Sequence, residues 1–439
     1  MTQPDGIRSE GDPASEAQNL LRNGIWAETL VAPEGVRERV RLVVADGRIA
    51  AVEEGVAPQE GDRRLRLVVP GFVNAHSHAF HRVLRGRTHD DGGDFWRWRE
   101  AMYRAAAELT PESYGDLASA VFREMVEAGW TAVGEFHYVH HRPDGRPYDP
   151  PHAMELALAA AAREVGIRLV LLDTCYLTAD VDGRALEPRQ RRFGDGDADG
   201  WLARRQALRS AIGDDPLVTI GAAIHSVRAV PLPAIARIAA ALPPDVPLHV
   251  HVAEQPRETA DFLARHGETP VAALDRLGVL GPRTTLVHGT HLSPEDVARI
   301  GGAGATVALC PTTEADLGDG IGPARALADA GARIALGSDG QSVIDPLLEM
   351  RGLEAGERLA SGRRGRFTPR ELLAAATEHG ATSLGLPPTR FRVGDPADLV
   401  ELDPDSPRTR GAVPAQLVLT ATASDVRTTV VAGREVHRA

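Results

Sequence analysis

The chain contains no lysine: all 49 basic residues among its 439 are arginine. That absence excludes a phosphate loop built on a lysine, a Schiff-base lysine and a carbamylated lysine bridging two metal ions. Cysteine is nearly absent as well. Cys175 and Cys310 both sit inside apolar runs, so no disulfide framework is indicated and a reducing compartment is expected. No run of about 18 apolar residues occurs, and the opening stretch MTQPDGIRSEGDPASEAQNLLRNG has no apolar h-region. The expectation is a soluble, cytoplasmic protein. A net charge of −12 and a pI near 5.8 disfavour nucleic acid and anionic membrane as partners. An anionic small molecule is compatible with that charge where arginines line the pocket.

What is present is apolar and periodic. Hydrophobic residues make up 43% of the chain, enough for a large barrel core plus an accessory domain. Residues 1–22 are polar and read as a loosely packed tail. From residue 23 to 69, short apolar runs alternate with turn signals such as PEG and DGRI. Residues 389–439 repeat that style, so the two ends read as halves of one small β domain. Everything between, residues 70–388, is inserted.

The insert alternates strand and helix. Eight apolar runs have strand length: 72–76, 131–136, 168–174, 217–224, 248–252, 285–289, 305–310 and 333–338. Segments rich in Ala, Arg and Glu separate them, among them 112–128, 152–165, 233–242, 257–264, 294–301 and 323–330. Eight βα units in this length favour an α/β fold closed as a (β/α)₈ barrel over an open doubly wound sheet.

Active-site residues of such barrels sit at the C-terminal strand ends. Here those ends carry His76 and His78, then Glu135 to Tyr138, then His225 to Arg228, His251 with Glu254, His288 and Asp339. A lone His-x-His is more often a turn feature. Six polar strand ends facing one mouth form a metal-site pattern. His76 and His78 are two apart, so both side chains share a strand face. His251 adds a third nitrogen and Asp339 a carboxylate oxygen. Nitrogen and oxygen donors without thiolate suit one Zn²⁺, with Fe²⁺ or Mn²⁺ as alternatives, and no organic cofactor is indicated. His249 shares a face with His251 but lies two residues deeper, and reads as core-polar or as a residue backing the ligands. His137, His140, His141, His266, His291 and His379 read as ordinary loop or helix histidines.

The series PGFVNAHSHAF, HVAEQ, HGTH and GSDG resembles the amidohydrolase superfamily over nearly the whole chain. Two-metal members usually share a carbamylated lysine from strand four. This chain has none, which points to a single metal held by His76, His78, His251 and Asp339. Glu254, three residues past His251, is placed to move the water proton to a leaving nitrogen. His288 is placed to hydrogen-bond the water or the developing charge, and Asp339 to serve as both ligand and catalytic acceptor. The H-x-x-E relation resembles the deaminase branch.

Further stretches, FWRWREAMYR, EFHYVHHRPDGRPYDP, HSVRAV and CPTTEADLGDGIGPA, closely resemble N-formimidoyl-L-glutamate deiminases of histidine degradation. The family's substrate is a dicarboxylate, which Arg99 and Arg228 suit as two guanidinium forks. The resemblance implies that Tyr138, His225 and the position of His81 also contact carboxylates. It also implies a homodimer. Two departures stand out. The family usually has glutamine where this chain has His81, and Ser-Asp-Ser-His where this chain has Ser338-Asp339-Gly340-Gln341. Trp96 and Trp98 read as lid packing, and Glu314 and Asp316 as loop structure. The competing expectation keeps the barrel and metal but changes the substrate to another amidine, a guanidino-acid or a heterocyclic amine. A non-catalytic scaffold is disfavoured because the whole polar set is retained.

Overall fold

A computed structural model of the chain describes residues 24–88 and 95–439. The expected N-terminal tail, 1–22, lies outside the described residues. Eight parallel strands follow one another in chain order. They are β1 (Phe72–Ser77), β2 (Trp130–His137), β3 (Arg168–Cys175), β4 (Val218–Ser226), β5 (Leu248–Val252), β6 (Thr284–His288), β7 (Thr306–Leu309) and β8 (Arg333–Leu336). Each lies within two residues of the run expected from sequence. Nearly all their residues are buried, which is why they read as continuous apolar runs rather than alternating ones.

Closure occurs late. β8 and β1 meet past the end of β8, through a parallel bridge between Ser77 and Asp339. The Asp339 N–H donates to the His76 carbonyl at 3.0 Å, and the His78 N–H to the Asp339 carbonyl at 3.1 Å. Gly337 makes this approach feasible: a Cβ there would stand 2.6 Å from the His76 carbonyl oxygen. Asn74 reinforces the seam, donating to Ser338 Oγ at 2.7 Å and accepting from the Ser338 N–H at 3.1 Å.

Both chain ends contribute to a second, seven-stranded sheet. Strands Ile25–Ala32, Gly35–Ala45, Arg48–Glu53 and Arg63–Pro70 come from the start; Leu399–Leu402, Val426–Val431 and Arg434–Arg438 come from the end. Arg63–Pro70 pairs parallel with Ile25–Ala32 on one side and antiparallel with Leu399–Leu402 on the other. The sheet has its own apolar core around Leu30, Leu42, Val68, Phe391 and Leu399. Arg168, at the base of β3, ties it to the barrel by donating to Asp398 from Nε at 2.6 Å and NH2 at 3.1 Å.

One helix matters directly to the barrel mouth. Phe95–Glu108 supplies Trp98, Arg99, Met102 and Tyr103 to the cavity wall. Its C-terminal carbonyls are satisfied by the buried guanidinium of Arg192, which donates to Ala106 and Leu109. Among the described residues, no helix is long and apolar enough to cross a membrane.

Candidate active site

The strand ends converge as barrel geometry requires. His76 and His78 emerge from β1, His251 from β5, His288 from β6, and Asp339 from the turn after β8. His76 Nε2 lies 3.2 Å from His251 Nε2 and 3.4 Å from Asp339 Oδ1. His78 Nε2 lies 3.4 Å from His251 Nε2 and 3.6 Å from Asp339 Oδ1. Two ligands about 2.0–2.1 Å from a tetrahedral metal stand roughly 3.3 Å apart, so these separations fit one ion.

The outer nitrogens fix the ring orientation. His78 Nδ1 is 2.7 Å from the Phe136 carbonyl and His251 Nδ1 is 2.8 Å from the His225 carbonyl. Only an N–H satisfies a carbonyl, so in the neutral rings both Nε2 lone pairs point inward at each other. Facing lone pairs 3.4 Å apart need a cation between them. Burial lowers the pKa of His76, His78 and His251, which keeps the imidazoles neutral, as ligands must be. Burial would raise Asp339, but its bond to His76 and the imidazoles packed around it outweigh burial and hold the carboxyl well below the usual range.

His288 stands beside this set. Its Nε2 is 3.7 Å from Glu254 Oε1 and 3.9 Å from Asp339 Oδ2, and its Nδ1 is 3.4 Å from Glu314 Oε1. Burial opposes its charge, yet Glu254, Glu314 and Asp339 push its pKa up to about 10. His288 also offers a nitrogen within 4.8 Å of those of His76 and His251, so it borders the same polar cluster. Glu254 is pushed upward by burial, with His288 and Arg228 opposing. A carboxyl shifted this way suits proton transfer near neutrality.

Backbone strain gathers at these ends. Ala253, His288, Asp339 and Gln341 have φ of 52°, 68°, 40° and 60°, where residues other than glycine are uncommon. Each such residue costs on the order of 1–3 kcal/mol and persists only where surrounding structure enforces it. Strain after β5, β6 and β8 aims Glu254, His288 and Asp339 at the same point.

The expected carboxylate-binding residues line the same cavity: His81, Arg99, Tyr138, His225 and Arg228. His81 Nε2 is 3.2 Å from the Tyr138 hydroxyl. Arg228 Nε donates to Glu258 Oε2 at 2.7 Å, and its NH2 is 4.0 Å from Glu254 Oε2. Glu258 also accepts from the Ala253 N–H at 3.0 Å, fixing the guanidinium against the β5 loop. Trp98, read as lid packing, lines the cavity too.

Some readings require correction. Glu314 is more than loop structure: besides facing His288, it accepts from the Cys310 N–H at 2.9 Å. His137, His140 and His141 are buried and belong to a charged cluster. His140 Nδ1 lies 2.8 Å from Glu155 Oε1, and Arg204 pairs with Glu155, Asp173 and Asp195. His249 is core, 2.8 Å from the Ser383 carbonyl. Reading the sequence alone counted Glu135 among the polar strand ends but missed its role: it accepts from Ser77 Oγ and the Ala79 N–H, both at 2.6 Å, and holds the His76–His78 turn. It missed Tyr103 and Tyr176 on the cavity wall as well. Two signals were available: Tyr176 follows the last residue of β3, and Tyr103 is four positions after Arg99 on a helix.

Comparison with known proteins places this architecture. The chain belongs to the amidohydrolase family, whose model matches residues 67–436, and it is a metal-dependent hydrolase of C–N bonds by that membership. Residues 23–66 match the model described as "Formimidoylglutamate deiminase HutF, N-terminal domain". Formimidoylglutamate deiminase of Pseudomonas aeruginosa is 39% identical over 396 residues, covering 88% of this chain and 87% of that one. An amidohydrolase structure from Brucella melitensis superposes with a TM-score of 0.88 at 35% identity, covering 94% of both chains. An adenosine deaminase from Xanthomonas campestris, solved with bound zinc, gives 0.79 at 27% identity, covering 94% of this chain and 92% of that one.

Proposed function

We propose that the protein hydrolyses N-formimidoyl-L-glutamate to N-formyl-L-glutamate and ammonia, with zinc held by His76, His78, His251 and Asp339. The observation that carries the reading is a shared cavity: Glu254, His288 and Asp339 line the same space as Arg99 and Arg228. Hydrolytic groups and two guanidinium groups in one small pocket suit an amidine attached to a dicarboxylate. The identity to the Pseudomonas deiminase supports the same choice.

A zinc ion supplies Lewis acidity that brings water into nucleophilic range near neutral pH. Glu254 accepts the proton released as water adds to the amidine carbon, then delivers it to the departing nitrogen. His288, held among Glu254, Glu314 and Asp339, is placed to donate to the charge that develops beside the carbon. Arg228, braced by Glu258, and Arg99 hold the carboxylates so that the amidine reaches Glu254. His81 and Tyr138 complete the wall, with His225 supplying both a pocket face and the carbonyl that orients His251.

The test is ammonia release by the zinc-loaded protein from N-formimidoyl-L-glutamate, beside guanidino-acid and aminopyrimidine controls. Fast and selective release is expected. Silence on that substrate with turnover of a control would retain the hydrolase and discard the substrate.

A further inference from the structure

The outer wall of the cavity contains a hydrogen-bond arrangement that the reaction scheme leaves unused. Tyr103, on helix Phe95–Glu108, and Tyr176, just past β3, are both buried. Their hydroxyls lie 3.5 Å apart. Gln190, itself buried, spans them: its Nε2 donates to Tyr103 at 3.1 Å and to Tyr176 at 3.0 Å. Arg99 Nε also donates to the Tyr103 hydroxyl, at 2.8 Å.

The direction of these bonds is fixed. The Glu187 backbone N–H donates to Gln190 Oε1 at 2.9 Å, so the amide cannot flip without setting a donor against a donor. An amide NH₂ and a guanidinium have no acceptor to offer. Tyr103 oxygen is therefore an acceptor twice over, and Tyr176 oxygen an acceptor from Gln190. Each phenol keeps one proton that neither neighbour can take. The contact between the two hydroxyls is too long to be a strong sink for either. Both residues, and Arg99, border the cavity. The Tyr176 ring meets His225 edge to face, centroids 4.5 Å apart, and His225 in turn lies 5.2 Å from His251. The spare protons are thus presented on the wall one residue removed from the metal-ligand set.

We propose that Tyr103, Tyr176 and Arg99 form a carboxylate subsite, and that Gln190 is the positioning residue that turns both phenols into donors toward the ligand. The proposal rests on the dicarboxylate reading of the pocket and assigns one of the carboxylates a place. Gln190 does not touch the ligand; it sets which way the hydroxyls point. Burial raises the Tyr176 pKa, so that hydroxyl keeps its proton at neutral pH.

Glutarate binding to the zinc-loaded protein, measured by calorimetry, tests the subsite without requiring turnover. Gln190→Glu preserves shape and the acceptor for Glu187 while inviting both phenols to donate to residue 190 instead of the ligand. Gln190→Met removes the donor without adding an acceptor. A hydrogen bond to a charged group is worth about tenfold to a hundredfold in binding. Gln190→Glu is expected to weaken glutarate at least about tenfold, and to raise KM for N-formimidoyl-L-glutamate similarly with a much smaller change in kcat. Gln190→Met should fall between. Tyr103→Phe and Tyr176→Phe remove the protons directly and serve where a Gln190 variant fails to fold, with zinc content as the integrity check. Glutarate affinity within twofold of wild type in the folded variants, or no glutarate binding to the wild type, overturns the proposal. Tight glutarate binding without ammonia release from N-formimidoyl-L-glutamate would remove the substrate assignment and leave the subsite standing.

Discussion

Gly337 carries no side chain, yet replacing it with alanine should damage the metal site. A Cβ at that position would meet the His76 carbonyl oxygen at 2.6 Å, the His76 Cβ at 2.9 Å and Cys310 Sγ at 3.0 Å. Backbone oxygen and a ligand's own Cβ cannot rotate away, so the strands must part. Overpacking of this kind costs about 1–3 kcal/mol. The His76 carbonyl is also the acceptor for the Asp339 N–H. Parting the strands therefore moves two expected metal ligands relative to each other. Loss of such orienting contacts typically lowers metal affinity about 10- to 100-fold.

The assay pairs chemical denaturation with zinc content and competition against a chelator. Gly356→Ala is the matched control. It lies within helix Pro346–Ser361, and its added Cβ would meet only the Ile321 side chain, at 3.4 Å. Alanine gains up to about 1 kcal/mol over glycine in a helix interior, so the control should be neutral or stabilising. Gly337→Ala with wild-type stability and wild-type zinc affinity would refute the claim that the seam sets the ligand geometry.

Glu254→Gln should retain zinc and lose about 10²–10⁴ in kcat; an unaffected rate removes the proton-transfer role. Asp339→Ala should lower zinc content and activity together, checked by elemental analysis, and normal zinc content counts against it as a ligand. Arg228→Met should raise KM sharply for the dicarboxylate, and unchanged KM would mean that Glu258 merely stores that charge. Asp195→Asn probes the buried cluster by pH. Burial raises the Asp195 pKa, but His141 and Arg204 outweigh it and lower it to about 2. A carboxyl depressed on folding stabilises above its ordinary value near 4 and loses that stabilisation as pH falls toward 2. The wild type should therefore lose about 2 kcal/mol more than Asp195→Asn across that interval, and parallel stability–pH curves would contradict the assignment.

The barrel was legible because each strand is buried on both faces and so appears as an unbroken apolar run between turn residues. The expected ligand set was legible because six strand ends carry polar residues toward one mouth, where barrel sites lie. What stayed hidden depends on contacts between residues far apart in sequence. Glu135 reads as one more polar residue at the end of β2; only the fold shows that it accepts from Ser77 and Ala79 on the neighbouring strand β1 and its turn. Arg204 lies on helix Ala198–Ile212 with nothing local to distinguish it from other surface arginines. Its importance comes from three carboxylates contributed by other segments.

The two departures from the family pattern are explained by the same distinction. Gln341 stands where the pattern has histidine, and its amide knits the closing seam. It donates to Ser77 Oγ at 2.8 Å and to the Asp339 carbonyl at 2.9 Å, and accepts from Ser338 Oγ at 2.9 Å. These bonds brace the His76–Ser77–His78 turn against Asp339, so the change falls on the scaffold of the ligands rather than on a reacting group. His81 is different, because it lines the cavity. Burial lowers its pKa to about 3, which leaves it neutral and unable to pair with a carboxylate as a cation. A neutral imidazole still offers one donor, as a glutamine amide offers two. Its Nε2 already faces the Tyr138 hydroxyl, so the proposed contact of His81 with a ligand would run through Tyr138 or through Nδ1, a buried atom without a hydrogen-bond partner among the described residues. His81→Gln separates these. Improved KM would mean that the second donor was missing, whereas loss of affinity would mean that the imidazole is needed to hold Tyr138 in place.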